Sequence, residues 1–291
     1  MIEVFNTHRP LLFGIAYRML GQVSEAEDIM QDVWLRWQKQ DAAAIQSSKA
    51  WLVAATTRLC IDRLRSARHQ RESYYGVWLP EPLMPVTEAD GANAAELSDS
   101  LTMAFMLMLE SLGPAERAVF LLREVFDYDY AEVAAIVGKS EAACRQIVSR
   151  AKQTLRAPAQ PPSAQPTEQA RKLVETFLAA TSSGNIDQVL ALLAEDSRLI
   201  SDGGGKVRAA GRPILGADHI SRFLLGVWPK FVGAMEHRRI DINGHPGLLM
   251  TLGGQVQYAF SFEIFGGRIQ AVYIVCNPDK LRHLAPAGDG I

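Results

Sequence analysis

The side chains that could carry acid–base chemistry lie in the C-terminal part of the chain. They comprise three histidines, two carboxylates and one tyrosine: His219, His237, His245, Asp202, Glu263 and Tyr258. General acid–base catalysis needs such groups held close to one another, and no pair here stands at a recognisable motif spacing. His245 also precedes a proline in a predicted turn. The sequence therefore assigns no catalytic residue and predicts that the protein is not an enzyme.

The cysteines give no redox or metal signal. Cys60, Cys144 and Cys276 lie far apart, without a CxxC pair or a histidine at metal-ligand spacing, as expected of small buried residues in a reducing compartment. No apolar run approaches the roughly 18 residues of a membrane span, and the first residues lack the basic-then-apolar order of a signal peptide. We expect a cytoplasmic protein with neither metal nor cofactor.

The distribution of charge points to a nucleic-acid partner, although the net charge of −2 does not. Residues 58–71 carry five arginines against the single acid Asp62, and residues 139–156 carry five basic residues against Glu141 alone. The intervening residues 72–132 carry twelve acids and two arginines. Two basic islands separated by an acidic stretch predict two separate contacts with phosphates.

The second basic island follows the spacing of a helix-turn-helix at residues 130–155. Ala134 is small enough for a helix crossing, Gly138 suits a left-handed turn, and Cys144 supplies a small apolar contact. The predicted inner face comprises Ala143, Ile147, Ala151 and Leu155. The predicted outer stripe comprises Arg145, Ser149, Lys152 and Arg156. The alternative is an ordinary two-helix corner with a basic outer face, and the motif alone does not decide between the two.

The first basic island has two interpretations. Five arginines in one stretch are usually a solvated helix end. They could instead follow one DNA strand, with Thr56 and Thr57 near unstacked bases. Nothing local decides between these possibilities.

Helices must position both islands. Ser24-x-x-Glu27 predicts a capping box, Ser47-Ser48 a cap for a helix to Arg71, and Asp129-x-x-Glu132 a second capping box before a helix that ends at Gly138. Ser140 is the predicted cap of the last helix of this part. Gly113-Pro114 ends one helix and starts the next.

Two non-helical stretches divide the chain. Residues 73–100 hold prolines that exclude a helix, and Trp78 and Leu79 are costly to leave exposed there, so this linker is expected to dock on another surface. The proline-rich residues 158–166 form a connector. Beyond it, helical periodicity gives way to the alternation of residues 256–264 and a Gly266-Gly267 turn, which predicts an α+β domain with an antiparallel sheet.

The order of these features resembles that of extracytoplasmic-function (ECF) sigma factors over residues 1–156. The similar segments are GQVSEAEDIMQDVWLRW at 21–37, WLVAATTRLCIDRLRS at 51–66 and the helix-turn-helix. The resemblance implies a multidomain protein with two all-α sigma modules. Its expected parts are region 2 at 1–72, a linker at 73–100, region 4 at 101–157, a connector at 158–166 and a C-terminal domain at 167–285.

The resemblance also implies three binding surfaces. The RNA polymerase core would contact Asp28, Gln31, Asp32, Leu35 and Arg36. The −10 promoter element would contact Thr57, Arg58, Asp62, Arg63, Arg65, Arg68 and Arg71. The −35 element would contact Ser140, Arg145, Gln146, Ser149, Arg150, Lys152 and Arg156. Many family members carry asparagine in place of Thr57.

A second resemblance, carried by WLPEP at 78–82, DGGG at 202–205 and NPDKL at 277–281, is to the ECF group with a fused C-terminal domain. That domain is a cone-shaped α+β fold, called SnoaL-like, and is thought to regulate the sigma factor in cis. The regulatory residues would be Trp78, Leu79, Pro80, Asp202, Gly203, Gly204, Asn277, Pro278, Asp279, Lys280 and Leu281.

The function predicted from these resemblances is promoter recognition and transcription initiation. The implied partners are the β and β′ subunits of core RNA polymerase, promoter DNA and an unidentified small-molecule ligand of the C-terminal domain. Two alternatives remain: a ligand-sensing helix-turn-helix regulator that works without polymerase, and a bifunctional protein whose C-terminal domain is an enzyme.

Overall fold

The chain divides into two compact units that are not each continuous in sequence. The first unit joins Met1–Glu72 to Phe105–Ala159, and the second joins Ser73–Ala104 to Gln160–Ile291. The structure is a computed structural model that describes residues 1–41, 45–72, 74–84, 101–155, 168–229 and 235–284, without the side chains of 67–72. The proline-rich connector and the second half of the linker lie outside the described residues.

The first unit is built of helices. In chain order they are α1 Ile2–Leu20, α2 Val23–Trp37, α3 Ser48–Glu72, α4 Met103–Leu109, α5 Pro114–Glu124, α6 Tyr130–Val137 and α7 Glu141–Thr154. The boundary between the units falls within helix α4: its first two residues belong to the second unit, and Phe105–Leu109 belong to the first.

Most of the predicted helix ends are confirmed. Pro114 occupies the first turn of α5. Asp129 and Glu132 form the predicted capping box of α6, which ends at Gly138 with φ 67°. Ser140 caps α7, its hydroxyl accepting a hydrogen bond from the amide of Ala143 at 3.2 Å. These polar caps satisfy amides that have no partner inside the helix and thereby fix the helix ends.

The predicted capping box of α2 is wrong. Helix α2 begins at Val23 with Gln22 at the N-cap position, so Ser24 lies inside the first turn. The predicted cap of α3 holds, because the Ser47 hydroxyl accepts a hydrogen bond from the amide of Ala50 at 3.3 Å.

The second unit packs helices against one sheet. Its elements are α8 Glu168–Ser183, α9 Ile186–Leu192, β1 Leu193–Asp202, β2 Ile214–Leu215, α10 Ala217–Val227, β3 Glu236–Ile242, β4 His245–Leu252, β5 Gln255–Phe265 and β6 Arg268–Val275. The strand order is β2-β1-β6-β5-β4-β3. The Gly266-Gly267 turn joins β5 to β6 as predicted, with Phe265 opposite Arg268.

The sheet is mixed, whereas the sequence predicted an antiparallel one. Strand β1 pairs with β6 in parallel, with Leu199 opposite Val272, and the other neighbours are antiparallel. A parallel pair requires a long crossover, which here includes α10 and the hairpins that follow it.

The core of the second unit lies between the helices and one face of this sheet. Phe177 of α8 meets Phe262 of β5 edge to face at a centroid distance of 5.8 Å, and Trp228, just after α10, meets Phe260 in the same way at 6.0 Å. Each of these four side chains is at most 4% exposed. These two aromatic pairs join helices to the sheet within a core that otherwise consists of aliphatic side chains and methionine.

No helix among the described residues is both long enough and apolar enough to cross a membrane.

Candidate functional site

The inner face of the helix-turn-helix is close to the predicted one but turned by one position. Cys144, Val148 and Ala151 are the buried residues of α7, whereas Ile147 is only partly buried. The predicted inner face omitted Val148. The spacing of four and three residues from Cys144 keeps these three side chains on one side of the helix, toward the rest of the unit.

The outer face of α7 carries polar side chains at the surface. Arg145 pairs with Glu141 at 2.6 Å, and its guanidinium carbon lies 4.5 Å from the ring centroid of Tyr130. Lys152 pairs with Glu124 at 2.5 Å. The other exposed residues predicted to face DNA are Ser140, Gln146, Ser149 and Arg150. Arg156 lies outside the described residues.

Helix α2 presents the whole predicted polymerase-binding strip to solvent. Its exposed residues are Asp28, Gln31, Asp32, Leu35 and Arg36. Leu35 is 54% exposed although it is apolar. The opposite face of α2 buries residues at helical spacing, which holds the strip outward: Ala26, Ile29, Met30, Val33 and Trp37.

Helix α3 buries two threonines, Thr56 and Thr57, that were expected to lie near unstacked DNA bases. Thr57 is 0% exposed, on the same face as Val53, Cys60 and Leu64, and its hydroxyl has no hydrogen-bond partner among the described residues. The expectation of an exposed Thr57 is therefore corrected, because spacings of four, three and four residues place it in the helix interface. Thr56 is equally buried.

Arg58 lies on α3 but is bound to the helix-turn-helix. Its Nε and a terminal nitrogen donate to the carbonyls of Ile136 and Ala135, at 2.9 and 3.0 Å. These carbonyls end helix α6, where the backbone dipole favours a cation. Region 2 and the helix-turn-helix therefore touch through a residue that was expected to contact DNA.

The remaining charged residues of α3 lie nearer the surface. Asp62 and Arg65 are exposed and pair with one another at 3.5 Å. Arg63 is partly exposed and approaches Glu25 at 4.0 Å. Arg68 and Arg71 lie within α3, and their side chains are outside the described part of the structure.

The linker is anchored in the second unit on the carboxylate of Asp202, which is 1% exposed at the end of β1. One carboxylate oxygen accepts from the hydroxyl of Tyr74 at 2.6 Å and from the amide of Gly204 at 3.0 Å. The other accepts from the amide of Leu79 at 2.8 Å and from Lys280 at 2.6 Å. Burial and the bond to Asp202 raise the pKa of Tyr74 well above its ordinary value.

Lys280 completes this anchor from the C-terminal tail. Its ammonium group is buried, pairs with Asp202, and donates to the carbonyl of Leu79. It lies 4.2 Å from the ring centroid of Trp78 and 5.0 Å from that of Tyr74. Two aromatic faces and two oxygens therefore enclose the cation. Leu79 itself is 0% exposed, so the linker docks on the C-terminal domain.

The glycine run and the tail fit against one another. A Cβ on Gly204, where φ is 59°, would lie 2.2 Å from the side-chain nitrogen of Asn277, and one on Gly203 would lie 2.2 Å from a backbone carbonyl. Asn277 donates to the Tyr74 hydroxyl at 2.9 Å and caps the short 3₁₀ helix Pro278–Lys280. Asp279 pairs with Lys206 and Arg282 at the surface, and these cations hold its pKa below the usual range.

Two further linker anchors were not predicted. Asn243, in the β3–β4 turn, accepts from the amide of Leu83 at 3.0 Å and donates to the carbonyl of Leu101 at 2.9 Å. A ring nitrogen of His283 lies 2.7 Å from the carbonyl of Pro82. The Asn-Gly pair at 243–244 indicates a hairpin turn in the sequence, but not its contact with the linker.

The candidate acid–base residues serve structural contacts or lie at the surface. Asp202 binds the linker, and Glu263 accepts from Arg198 at 3.2 Å and from Tyr273 at 2.8 Å. His219 contacts the carbonyl of Leu215, in strand β2, at 3.0 Å, and His237 is exposed. His245 is buried at the start of β4. Tyr258 is partly buried in β5, and its own burial raises its pKa. In the part of the chain that is described, no three metal-binding side chains come together.

A surface cleft of about 300 Å³ lies between α8 and strands β3 and β4. Arg171 pairs across it with Asp241 at 2.7 Å, and Arg239 with Glu175 at 2.5 Å. Both arginines are thus matched by carboxylates within the cleft itself.

Two families account for the helical unit. Residues 4–70 match Sigma-70 region 2, and residues 102–155 match Sigma-70 region 4. The first match contains α2 and most of α3, and the second contains the helix-turn-helix.

Relatives extend the likeness to the entire chain. The ECF RNA polymerase sigma factor SigJ of Mycobacterium tuberculosis is 35% identical, over 99% of this chain and 98% of its own. The probable ECF sigma factor SigI of the same species is 30% identical, over 98% and 97%.

The structure gives the same relationship. The crystal structure of SigJ matches with a TM-score of 0.76 and 32% identity, covering 96% of this chain and 98% of that one. The predicted fold class is confirmed: two helical sigma modules followed by an α+β domain of the SnoaL-like type. This chain belongs to the ECF sigma factors, which bind core RNA polymerase and promoter DNA to initiate transcription.

Proposed function

We propose that α2 binds the polymerase through the strip that begins at Asp28 and ends at Arg36, against the clamp helices of the β′ subunit, while β completes the core contact. The division of α2 into a buried face and an exposed polar face supports this proposal. Leu35 is 54% exposed among acids, a glutamine and an arginine, and packing against a partner helix would remove this apolar side chain from water.

Promoter contact is proposed for two helices of the first unit. Helix α7 would read the −35 element with its outer face, since a recognition helix presents its N-terminal residues to base edges in the major groove. Helix α3 would contact the −10 region with Asp62, Arg63 and Arg65 and with the arginines that follow. Arg58 is exposed but donates two N–H groups to the carbonyls of α6, so only its remaining N–H groups could meet a phosphate while these bonds hold.

The observation that carries the promoter proposal is the two-sided helix-turn-helix. Its caps and left-handed glycine fix the angle between α6 and α7, and Cys144, Val148 and Ala151 hold one face inward. The opposite face exposes Arg145, Gln146 and Arg150. Charged and amide side chains on a rigid outward face are the groups that pair with guanine, adenine and phosphate.

Regulation in cis is proposed to act through the linker. This segment joins the helix that would contact the −10 element to the module that would read the −35 element, and Asp202 and Lys280 hold it at Leu79. Fixing one point of a linker shortens the free chain on either side and limits how far apart its ends can move. A small molecule could control this step only by binding the docked and released states with different affinity.

We further propose that the protein catalyses no reaction of its own and acts in the cytoplasm with the polymerase. Its relatives are sigma factors, and the carboxylates Asp202 and Glu263 are already committed to internal hydrogen bonds.

Reconstitution tests the proposed function. Purified core polymerase, with and without the full chain, would transcribe a library of genomic promoter fragments in a run-off assay. We expect discrete transcripts from a small promoter set only when the chain is present. Failure to form a complex with core, or initiation without promoter preference, would refute the proposal.

A further inference from the structure

Tyr130 holds the guanidinium of Arg145 at the outer face of the helix-turn-helix. Tyr130 is the first residue of α6, and Arg145 lies in the second turn of α7. The 4.5 Å between the guanidinium carbon and the ring centroid is within the range of a cation–π contact. The ring therefore bridges the first helix of the motif to a side chain of the recognition helix.

Both partners are restrained by other groups. Glu141, one turn earlier in α7, accepts from Arg145 at 2.6 Å and holds the guanidinium from the N-terminal side. The guanidinium carbon of Arg123 lies 5.1 Å from the centroid of the same Tyr130 ring. Arg123 is itself fixed, because it donates to the carbonyl of Tyr128 at 3.0 Å. The direction of Arg145 is thus set by contacts that exist before any DNA is bound.

Direction matters for an arginine that reads bases. The bidentate contact of a guanidinium with guanine needs a planar fork aligned with two acceptors of one base edge. An arginine that moves freely can still meet phosphates, since these surround it on many sides. A restraint on the orientation of the guanidinium should therefore change the base preference more than the total affinity for DNA.

We propose that Tyr130 is a positioning residue that aims Arg145 and thereby narrows the base preference at one position of the −35 element. This inference rests on the proposed reading of that element by α7. Tyr130 itself need not touch DNA. Its effect passes through the contact with Arg145, so it should vanish when Arg145 is absent.

The experiment uses the full chain in reconstituted holoenzyme. Initiation would be sequenced from a promoter library randomised over the −35 element for the parent, Tyr130→Phe, Tyr130→Leu, Arg145→Ala and the double variant Tyr130→Leu with Arg145→Ala. Tyr130→Phe keeps the aromatic face and is the matched control. Urea unfolding of each variant would verify that α6 and α7 remain folded.

We expect Arg145→Ala to reduce discrimination at one position by about tenfold or more, as for loss of a base-edge contact. Tyr130→Leu should reduce discrimination at the same position by about two- to fivefold, as for loss of a half-exposed cation–π contact. Tyr130→Phe should keep the parental preference. The double variant should match Arg145→Ala.

The outcomes separate this inference from the proposed function. Suppose that Arg145→Ala removes the base preference at one position. If Tyr130→Leu then leaves that preference unchanged, or if Tyr130→Leu lowers initiation equally on all sequences, only the positioning role is wrong. The same holds if Tyr130→Phe loses as much preference as Tyr130→Leu. If Arg145→Ala alters no preference while initiation continues, both the base-reading role of Arg145 and the positioning role of Tyr130 are wrong.

Discussion

Replacing Lys280 with methionine should release the linker from the C-terminal domain. Lys280 and Asp202 form an ion pair at 2.6 Å in which the lysine side chain is 5% exposed and the aspartate side chain 0%. Methionine retains much of the volume but leaves the carboxylate buried without its cation. Breaking a buried pair by removing one partner costs about 3–5 kcal/mol. This corresponds to a shift of about two to four powers of ten toward the undocked linker.

Hydrogen exchange at the Leu79 amide measures this shift directly. That amide donates to the same carboxylate oxygen that Lys280 contacts, so it exchanges only when the anchor opens. We expect its protection to fall in Lys280→Met by about two powers of ten or more, down to the limit set by an unstructured amide. Amides of β5 and β6 should keep their protection, which would show that the domain remains folded.

Lys206→Met is the matched control. Lys206 also pairs with a carboxylate, that of Asp279, but its side chain is 55% exposed. Exposed pairs contribute about 1 kcal/mol or less, so Leu79 protection should change by less than about fivefold. Run-off transcription should change in Lys280→Met and stay at the parental level in Lys206→Met. Unchanged Leu79 protection in Lys280→Met would refute the account of the anchor.

Two further substitutions test the packing described above. Gly204→Ala should loosen the linker anchor by more than about 1 kcal/mol, because its Cβ would lie 2.2 Å from a nitrogen of Asn277 and the backbone φ there is 59°. Gly211→Ala is the control and should be nearly neutral, because the space around Gly211 is open. Hydrogen exchange at the Leu79 amide measures both effects. Val148→Ala should destabilise the first unit by about 1–2 kcal/mol in urea unfolding, and Ile147→Ala, at a partly buried position, by less; equal losses would contradict the inner face assigned to α7.

Local signals in the sequence predicted local structure well. The capping box at Asp129, the left-handed Gly138 and the cap at Ser140 depend on contacts within four residues, and each is present as predicted. The outward strip of α2 could also be predicted, because helical periodicity alone separates its two faces. Ser24 failed as a cap because the helix begins two residues earlier than the motif requires.

Contacts between distant segments could not be predicted in this way. Thr57 is buried because α3 packs against other helices, and nothing in its own neighbourhood in the sequence distinguishes a buried threonine from an exposed one. Asn243 meets Leu83 of the linker across 160 residues, and Arg58 meets Ile136 across 78. Such contacts depend on the tertiary arrangement. Only the resemblance to a family indicated that the linker and the C-terminal tail contact one another.

The central claim is that this chain is a polymerase-binding promoter factor, and core binding by α2 tests it most directly. The double change Asp28→Lys with Gln31→Ala alters two exposed residues and leaves the buried face of α2 intact. The measurement is co-purification with core polymerase. The parent is tested in parallel, and the charge reversal Glu3→Lys, at an exposed position of α1, is the control. We predict that the parent and Glu3→Lys bind core, while the double variant is folded but does not bind. Normal core binding by the double variant would contradict the account.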